Sequence, residues 1–174
     1  MGTHCLPPSI NHSDAEYSVE ECDQGLAVRY ALAGLKNVGE KAMDGIVAER
    51  LANGAYRDLD DFANRADPSQ INRRSLENLV SAGAFDEFEA NRASVFAGIE
   101  TILATAQSAR DQRESGQGGL FGGDAAADAT KMRLPNAEKW TVAETMEHER
   151  EAFGFYFSSH PISQYTQIAA SHGA

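Results

Sequence analysis

Cysteine is nearly absent from this chain: Cys5 and Cys22 are the only two in 174 residues. They form no CxxC pair and no disulfide framework, which excludes a small disulfide-stapled secreted fold and a cysteine-built zinc site. Long apolar runs are missing as well. Nothing approaches the roughly 18 consecutive apolar residues of a membrane-spanning helix, so no membrane partner is expected. No charged-then-apolar leader is visible, and the cysteine usage makes the cytoplasm the expected location. Cations are in the minority, with 15 Lys and Arg against 26 Asp and Glu and a net charge of −11. That balance argues against a general nucleic-acid coat. Histidine chemistry is equally thin, because His148 and His160 lack the spaced Cys, His or carboxylate partners of a zinc site. His160, next to Pro161, reads as a structural turn residue.

What is present is a chain that is 42% hydrophobic, enough for a real core in one domain with appendages or in two small ones. The excess of acid is not spread evenly. Between Gly25 and Ser75 the cations are Arg29, Lys36, Lys41, Arg50, Arg57, Arg65, Arg73 and Arg74, against Glu40, Asp44, Glu49, Asp58, Asp60, Asp61 and Asp67. That segment is near balance, which leaves room for a small phosphate-facing patch but not for strong stand-alone binding.

Met1 to His4 reads as a cloning scar, and residues 1–5 are set apart from the domain that follows. Leu6-Pro7-Pro8 starts extended, because each proline fixes φ and biases its predecessor away from helix. Tyr17 to Glu20 and Leu26 to Tyr30 alternate around Asp23-Gln24-Gly25, the signature of a β-hairpin. Helical patterns then dominate. Asp58 or Asp60 can cap a short helix holding Leu59, Phe62 and Ala66, which Pro68 ends. Asp58, Asp60 and Asp61 read as caps and helix-dipole partners rather than metal ligands. Ser69 or Asn72 can cap a helix with Leu76, Leu79 and Val80 on one face, and Gly83 supplies a left-handed stop. Asn91 opens a long helix through Val95, Ile99, Ile102, Leu103 and Ala106. Ser115 to about Asn136 is a Gly-, Ala- and Asp-rich break that should be flexible. Trp140 and Thr141 introduce a final helix to about Phe153, with Trp140 expected to anchor the returning chain to the body.

The run Ala33 to Ala42 carries the most information. A short apolar approach meets a tight turn whose two bends are Asn37 and Gly39, residue types that tolerate positive φ. A helix with Ala42, Ile46 and Val47 on one face follows, and Arg50 closes it. Val38 points inward as a plug. The first amides of the new helix are then left unpaired and outward, a ready site for an anion such as a phosphate, with Lys36 and Lys41 beside it. A glycine turn between apolar helices is common in any α-rich domain, so a purely structural role is the competing reading. This element resembles a helix-hairpin-helix, a module that holds nucleic acid by its backbone. Ile71 to Leu79 could mimic a second one with a degenerate turn. Arg73 and Arg74 at that second site either contact phosphate or simply begin a solvated helix.

Gln117-Gly118-Gly119-Leu120-Phe121 lies in the glycine-rich break. Two adjacent large apolar residues there either pack back onto the body or form a short linear motif for a partner pocket. Burying each is worth roughly 1.5–3 kcal/mol, and ordering the segment costs about 1–2 kcal/mol per residue, so only a weak contact is expected. Gln-x-x-Leu-Phe resembles the clamp-binding peptide of bacterial replication proteins.

The order of features is similar to that of the bacterial DNA polymerase III alpha subunit family, in its clamp-binding region beyond the fingers. Leu6-Pro7-Pro8-Ser9-Ile10-Asn11 resembles the family's LPPDIN segment, and Val28 to Gly39 its IRYGLGAIKGVG stretch. Asn72-Arg73-Arg74 through Gly83-Ala84-Phe85-Asp86 and Glu151 to Pro161 resemble two further blocks, so the likeness runs from Leu6 to Tyr165. Asn37 is a departure, since the family usually has Gly there. The resemblance implies a mainly α fold. Residues 6–114 would be a tandem helix-hairpin-helix domain with a small N-terminal β-hairpin, 115–136 a flexible linker, and 137–174 a C-terminal helix leading on to a following domain.

The resemblance further implies a non-catalytic segment that grips duplex DNA through Lys36, Asn37, Val38, Gly39, Lys41, Arg73 and Arg74. Gln117, Leu120 and Phe121 would dock the β sliding clamp. The segment itself would need no cofactor; magnesium and deoxynucleotides, and the polymerase carboxylates, would belong to the rest of the alpha subunit, which is the third expected partner. An error-prone translesion paralogue and a helical domain without DNA contact remain the alternatives.

Overall fold

The structure, a computed structural model, describes residues 4–116 and 131–157. A three-stranded sheet opens it, formed by β1 (His4–Leu6), β2 (Ser18–Cys22) and β3 (Gly25–Arg29) in the order β1-β3-β2. β2 and β3 make the expected antiparallel hairpin, with Cys22 opposite Gly25 and Ser18 opposite Arg29. Asp23 and Gln24 form its turn. β1 adds an unexpected parallel strand, pairing Cys5 with Val28; residues 4 and 5 are therefore part of the sheet. Arg29 reaches diagonally across the hairpin to Glu20 and donates to the Pro7 carbonyl at 3.0 Å. That guanidinium holds the Glu20 carboxyl below the usual carboxylate range.

Six helices follow among the described residues: α1 (Glu40–Asn53), α2 (Leu59–Arg65), α3 (Arg73–Ser81), α4 (Arg92–Ala97), α5 (Ile99–Glu114) and α6 (Val142–Phe153). The mainly α class with a small N-terminal sheet is thus borne out. The caps are legible in the sequence. Asp58 accepts from the Asp61 amide at the start of α2, and Asn72, not Ser69, caps α3 in a reciprocal box with Ser75. Gly83 has the left-handed φ of +86° expected of the α3 stop. The single long helix expected from Asn91 is instead two, α4 and α5, separated at Gly98, where φ is −91° and ψ 4°. Glycine is a weak helix former, and the side chains of Leu134 and Pro135 pack into the space a Cβ would need. Of the expected linker, residues 131–136 are described at its far end, with Met132 and Leu134 packed against the core and the Met132 amide bonded to Asp60.

The core is one cluster. Phe62 joins Tyr56 and Phe85 edge-on, with centroids 5.3 and 5.0 Å apart, and Leu76, Leu79 and Ile102 are fully buried around it. The Pro7–Asn11 lead-in lies against this core as irregular chain, with Pro8 and Ile10 buried, so its covered polar groups need partners. Ile10 donates to the Ala84 carbonyl, and Asn11 exchanges two 2.8 Å bonds with the Tyr56 backbone. Arg50 of α1 donates to the carbonyls of Ile10 and Ser13 at 2.8 Å each and reaches Asp14. On the far side, Trp140 stacks on His148 with centroids 3.7 Å apart and meets Phe96 edge-on, which anchors the returning chain as expected. Burial holds the His148 imidazole below its ordinary pKa, against the opposing pull of Glu151, Glu144, Glu147 and Glu77.

Two expectations follow. Arg50→Met leaves the two buried carbonyls without donors and should cost about 2–4 kcal/mol in denaturant unfolding. For His148 the folded pKa lies below the unfolded value of about 6.5. The unfolded chain therefore takes up the proton first, and stability that is full above that pH falls as pH drops toward the folded pKa. Thermal melts between pH 7 and 5 should show this slope, and His148→Phe, which keeps a ring against Trp140, should flatten it.

Candidate nucleic-acid interface

The candidate site begins where the sheet ends. Tyr30 and Leu32 enter the core, and a single 3-10 turn at Leu32–Gly34 replaces the first helix of the hairpin. Leu35 and Val38 are buried while Lys36, Asn37 and Gly39 are exposed, so the turn is nailed down by two apolar side chains with its backbone facing out. Asn37 is the one described non-glycine residue with positive φ, at +58°. It alone makes the reversal, since its short polar side chain tolerates the left-handed region.

Gly39 differs from expectation. Its φ of −77° and ψ of 134° are extended, because the chain has already turned at Asn37 and needs only to enter α1. A Cβ added to Gly39 would meet nothing within 4 Å. The space above it is open, and neither backbone nor packing demands glycine there.

The helix that starts here has no side-chain cap. Its first internal bond runs from the Met43 amide to the Gly39 carbonyl, so the amides of Glu40, Lys41 and Ala42 have no acceptor among the described residues. α2, α3 and α6 are different: Asp58, Asn72 and Thr141 each accept from a first-turn amide. The two hairpin-like elements are therefore unequal. At the second, the Asn72 side chain occupies the Ser75 amide that an anion would use.

The cations are also unequal. Lys41 is exposed on the first turn of α1 and Arg74 on the first turn of α3, and neither has an ion pair among the described residues. Arg73 is paired with Glu77 at 2.9 Å and with Glu100 at 2.8 Å, so carboxylates already offset its charge. Lys36 is exposed, but its amide donates to the Ala152 carbonyl at 2.9 Å. Its own carbonyl accepts from the Asn78 side chain. Asn78 lies one turn beyond Arg74 on the same strip of α3, so the structure brings α3 against the turn that holds Lys36, Asn37, Val38 and Gly39. Sequence reading did not assign Asn78 or the carboxyl end of α6 to this site; the Gly154 helix stop was the signal available for the latter. Gln117, Leu120 and Phe121 lie outside the described residues.

The acidic cluster has structural work. Asp58 caps α2, Asp60 holds the Met132 amide, and Asp61 pairs with Arg65 at 3.0 Å.

Residues 2–95 match the family model for the helix-hairpin-helix motif. Over 162 residues the chain is 43% identical to DNA polymerase III subunit alpha of Caulobacter vibrioides, and 41% identical to that of Xylella fastidiosa Temecula1. Over 172 residues it is 36% identical to that of Campylobacter jejuni. These alignments cover 92–98% of this chain but only 13–14% of the relatives' length. A left-handed turn plugged by Val38, an uncapped following helix and this likeness agree: the chain belongs to the helix-hairpin-helix family and is homologous to one segment of the DNA polymerase III alpha subunit.

Proposed function

We propose that this chain is a non-catalytic segment of a replicative DNA polymerase III alpha subunit, acting in the cytoplasm, that holds duplex DNA by its backbone. The observation that carries the reading is the bare start of α1, with three amides lacking acceptors among the described residues beneath an open space at Gly39. Phosphate oxygens accept from such amides, and the helix dipole favours them. Glycine at 39 lets the backbone approach a phosphate closely. Lys41, Lys36 and Arg74 supply charge around that point, while Arg73 contributes less because Glu77 and Glu100 already hold it. Contacts of this kind position the duplex without reading bases.

With the chain's net charge of −11, the grip is weak and salt-sensitive, in the range of about 10⁻⁴–10⁻⁶ M for non-specific binding. A second tether compensates. Gln117, Leu120 and Phe121 dock the β sliding clamp, whose ring keeps the bound segment near the template. Linking two weak contacts in this way raises avidity by about 10²–10⁴, which is how modest pieces support processive replication. Nucleotidyl transfer, with its magnesium and deoxynucleotides, belongs to the rest of the alpha subunit.

Lys41→Glu should weaken binding to a fluorescent duplex several-fold and make the salt dependence shallower by about one ion. If neither quantity changes in an anisotropy titration, α1 is only structural and the domain makes no DNA contact there. The clamp reading is checked separately by calorimetry with purified clamp. The Leu120→Ala, Phe121→Ala double variant should lose binding with an unchanged melting temperature, and retained affinity refutes the motif.

A further inference from the structure

The carboxyl end of α6 lies outside the matched residues 2–95, yet it reaches the candidate turn. The Ala152 carbonyl accepts the Lys36 amide at 2.9 Å while Asn78 donates to the Lys36 carbonyl. The backbone on either side of Lys36 is thus fixed by α6 and by α3. The side chain is constrained too. A Cβ built on Gly154 would fall 2.9 Å from Lys36 Cε and 3.4 Å from its Nζ, so the lysine stem crosses directly over that glycine. Gly154 ends α6 in the left-handed conformation, φ +85°, with its amide on the Arg150 carbonyl. A cation laid over this point sits at the negative end of the α6 dipole.

The anchor beneath is rigid. Phe153 is buried, meets Tyr30 edge-on at 4.8 Å and stacks on Phe157 at 4.5 Å. Tyr30 is the residue through which the chain leaves β3 for the turn, so one aromatic cluster carries both the α6 terminus and the approach to Asn37.

We propose that the end of α6 is a positioning element for the DNA-gripping turn, in which Gly154 sets where the Lys36 ammonium stands. The inference rests on the reading that this turn holds DNA. Ala152 fixes the main chain leading into the amides of 37–41, and the bare face of Gly154 is the bed on which the Lys36 side chain lies. Any side chain at 154 displaces that ammonium without touching DNA itself.

A double-mutant cycle tests this in the whole chain. Duplex binding is titrated against salt for wild type, Gly154→Ala, Lys36→Met and the double variant, with melting temperatures recorded alongside. Gly154→Ala should weaken binding about fivefold and reduce the salt slope by about one. In the Lys36→Met background the same change should do nothing further. Gly154→Asn tolerates the left-handed backbone while filling the same space. It should reproduce the loss of binding with a smaller drop in melting temperature than Gly154→Ala, which separates the positioning effect from a folding defect. Equal losses in both lysine backgrounds, or unchanged binding in the Gly154 variants, overturn the proposal. A wild-type chain that does not bind duplex, or one indifferent to Lys41→Glu, removes the DNA reading and this inference with it. Sensitivity to Lys41→Glu with silent Gly154 variants overturns the positioning role alone.

Discussion

The buried guanidinium of Arg50 is the contact on which the rest of the arrangement depends. Chain running through a core without helix or strand must find donors for its carbonyls, or lose the desolvation cost of each. Arg50 supplies two of them, at Ile10 and Ser13, from the last buried turn of α1. It thereby locks the helix that follows the candidate turn to the segment that joins β1 to β2. Arg65 repeats the device, donating to the Gly54 carbonyl at 2.7 Å, pairing with Glu49 and Asp61, and lying over the Tyr56 ring. Arg92 does so again with the Ser81 carbonyl, Asp86 and Glu149, joining α4 to α6. A planar fork with five donors suits this work better than an ammonium can. With these arginines committed to holding irregular backbone, the cations left facing solvent around the turn are Lys36, Lys41 and Arg74.

The turn itself is held by opposing demands. Val38 and Leu35 are drawn into the core, and their burial forces the residues between and after them outward. One residue must then take the left-handed conformation, and Asn37 does. The contrast with α3 shows that geometry alone does not make an anion site. Both helices begin after an exposed turn, but Asn72 satisfies the α3 start from within the chain, whereas Gly39 has no side chain with which to do so. The start of α3 is thus capped where that of α1 is bare.

Much of this was legible from local chemistry. The β2–β3 hairpin followed from alternation around a glycine turn, and the Gly83 stop from its position after an apolar stripe. Capping chemistry narrowed each cap to two residues, Asp58 or Asp60 and Ser69 or Asn72, and the structure picks Asp58 and Asn72. Val38 as a plug followed from its place between two bend-tolerant residues. The misses have a common cause in tertiary contact. β1 is three residues long and becomes a strand only because β3 offers an edge. Gly98 reads as a tolerated glycine inside a long helix until Leu134 and Pro135 arrive from a distant part of the chain. Gly39 carries the same residue type as a left-handed bend, and only the completed reversal at Asn37 removes that need. The split between Arg73 and Arg74 was undecidable from sequence, since Glu100 lies on α5 and meets Arg73 only after α3 and α5 pack.

Charge limits what the turn can do, and that limit bears on function. Glu40 occupies the first turn of α1, next to the amides an anion would use, where its own carboxylate already interacts favourably with the helix dipole. An incoming phosphate must share that end of the helix, beneath a chain whose net charge repels it. On the proposed reading the resulting grip is local and easily released. A strong, extensive cationic surface would hold the duplex in place, whereas a few amides and two or three cations would let it advance while the proposed second tether prevented escape. The same weakness makes position matter more than charge count. On that reading a single ammonium pushed aside by an added methyl group is a sizeable fraction of so small a contact, so a helix end carrying no charge to the DNA would still affect how well the DNA is held.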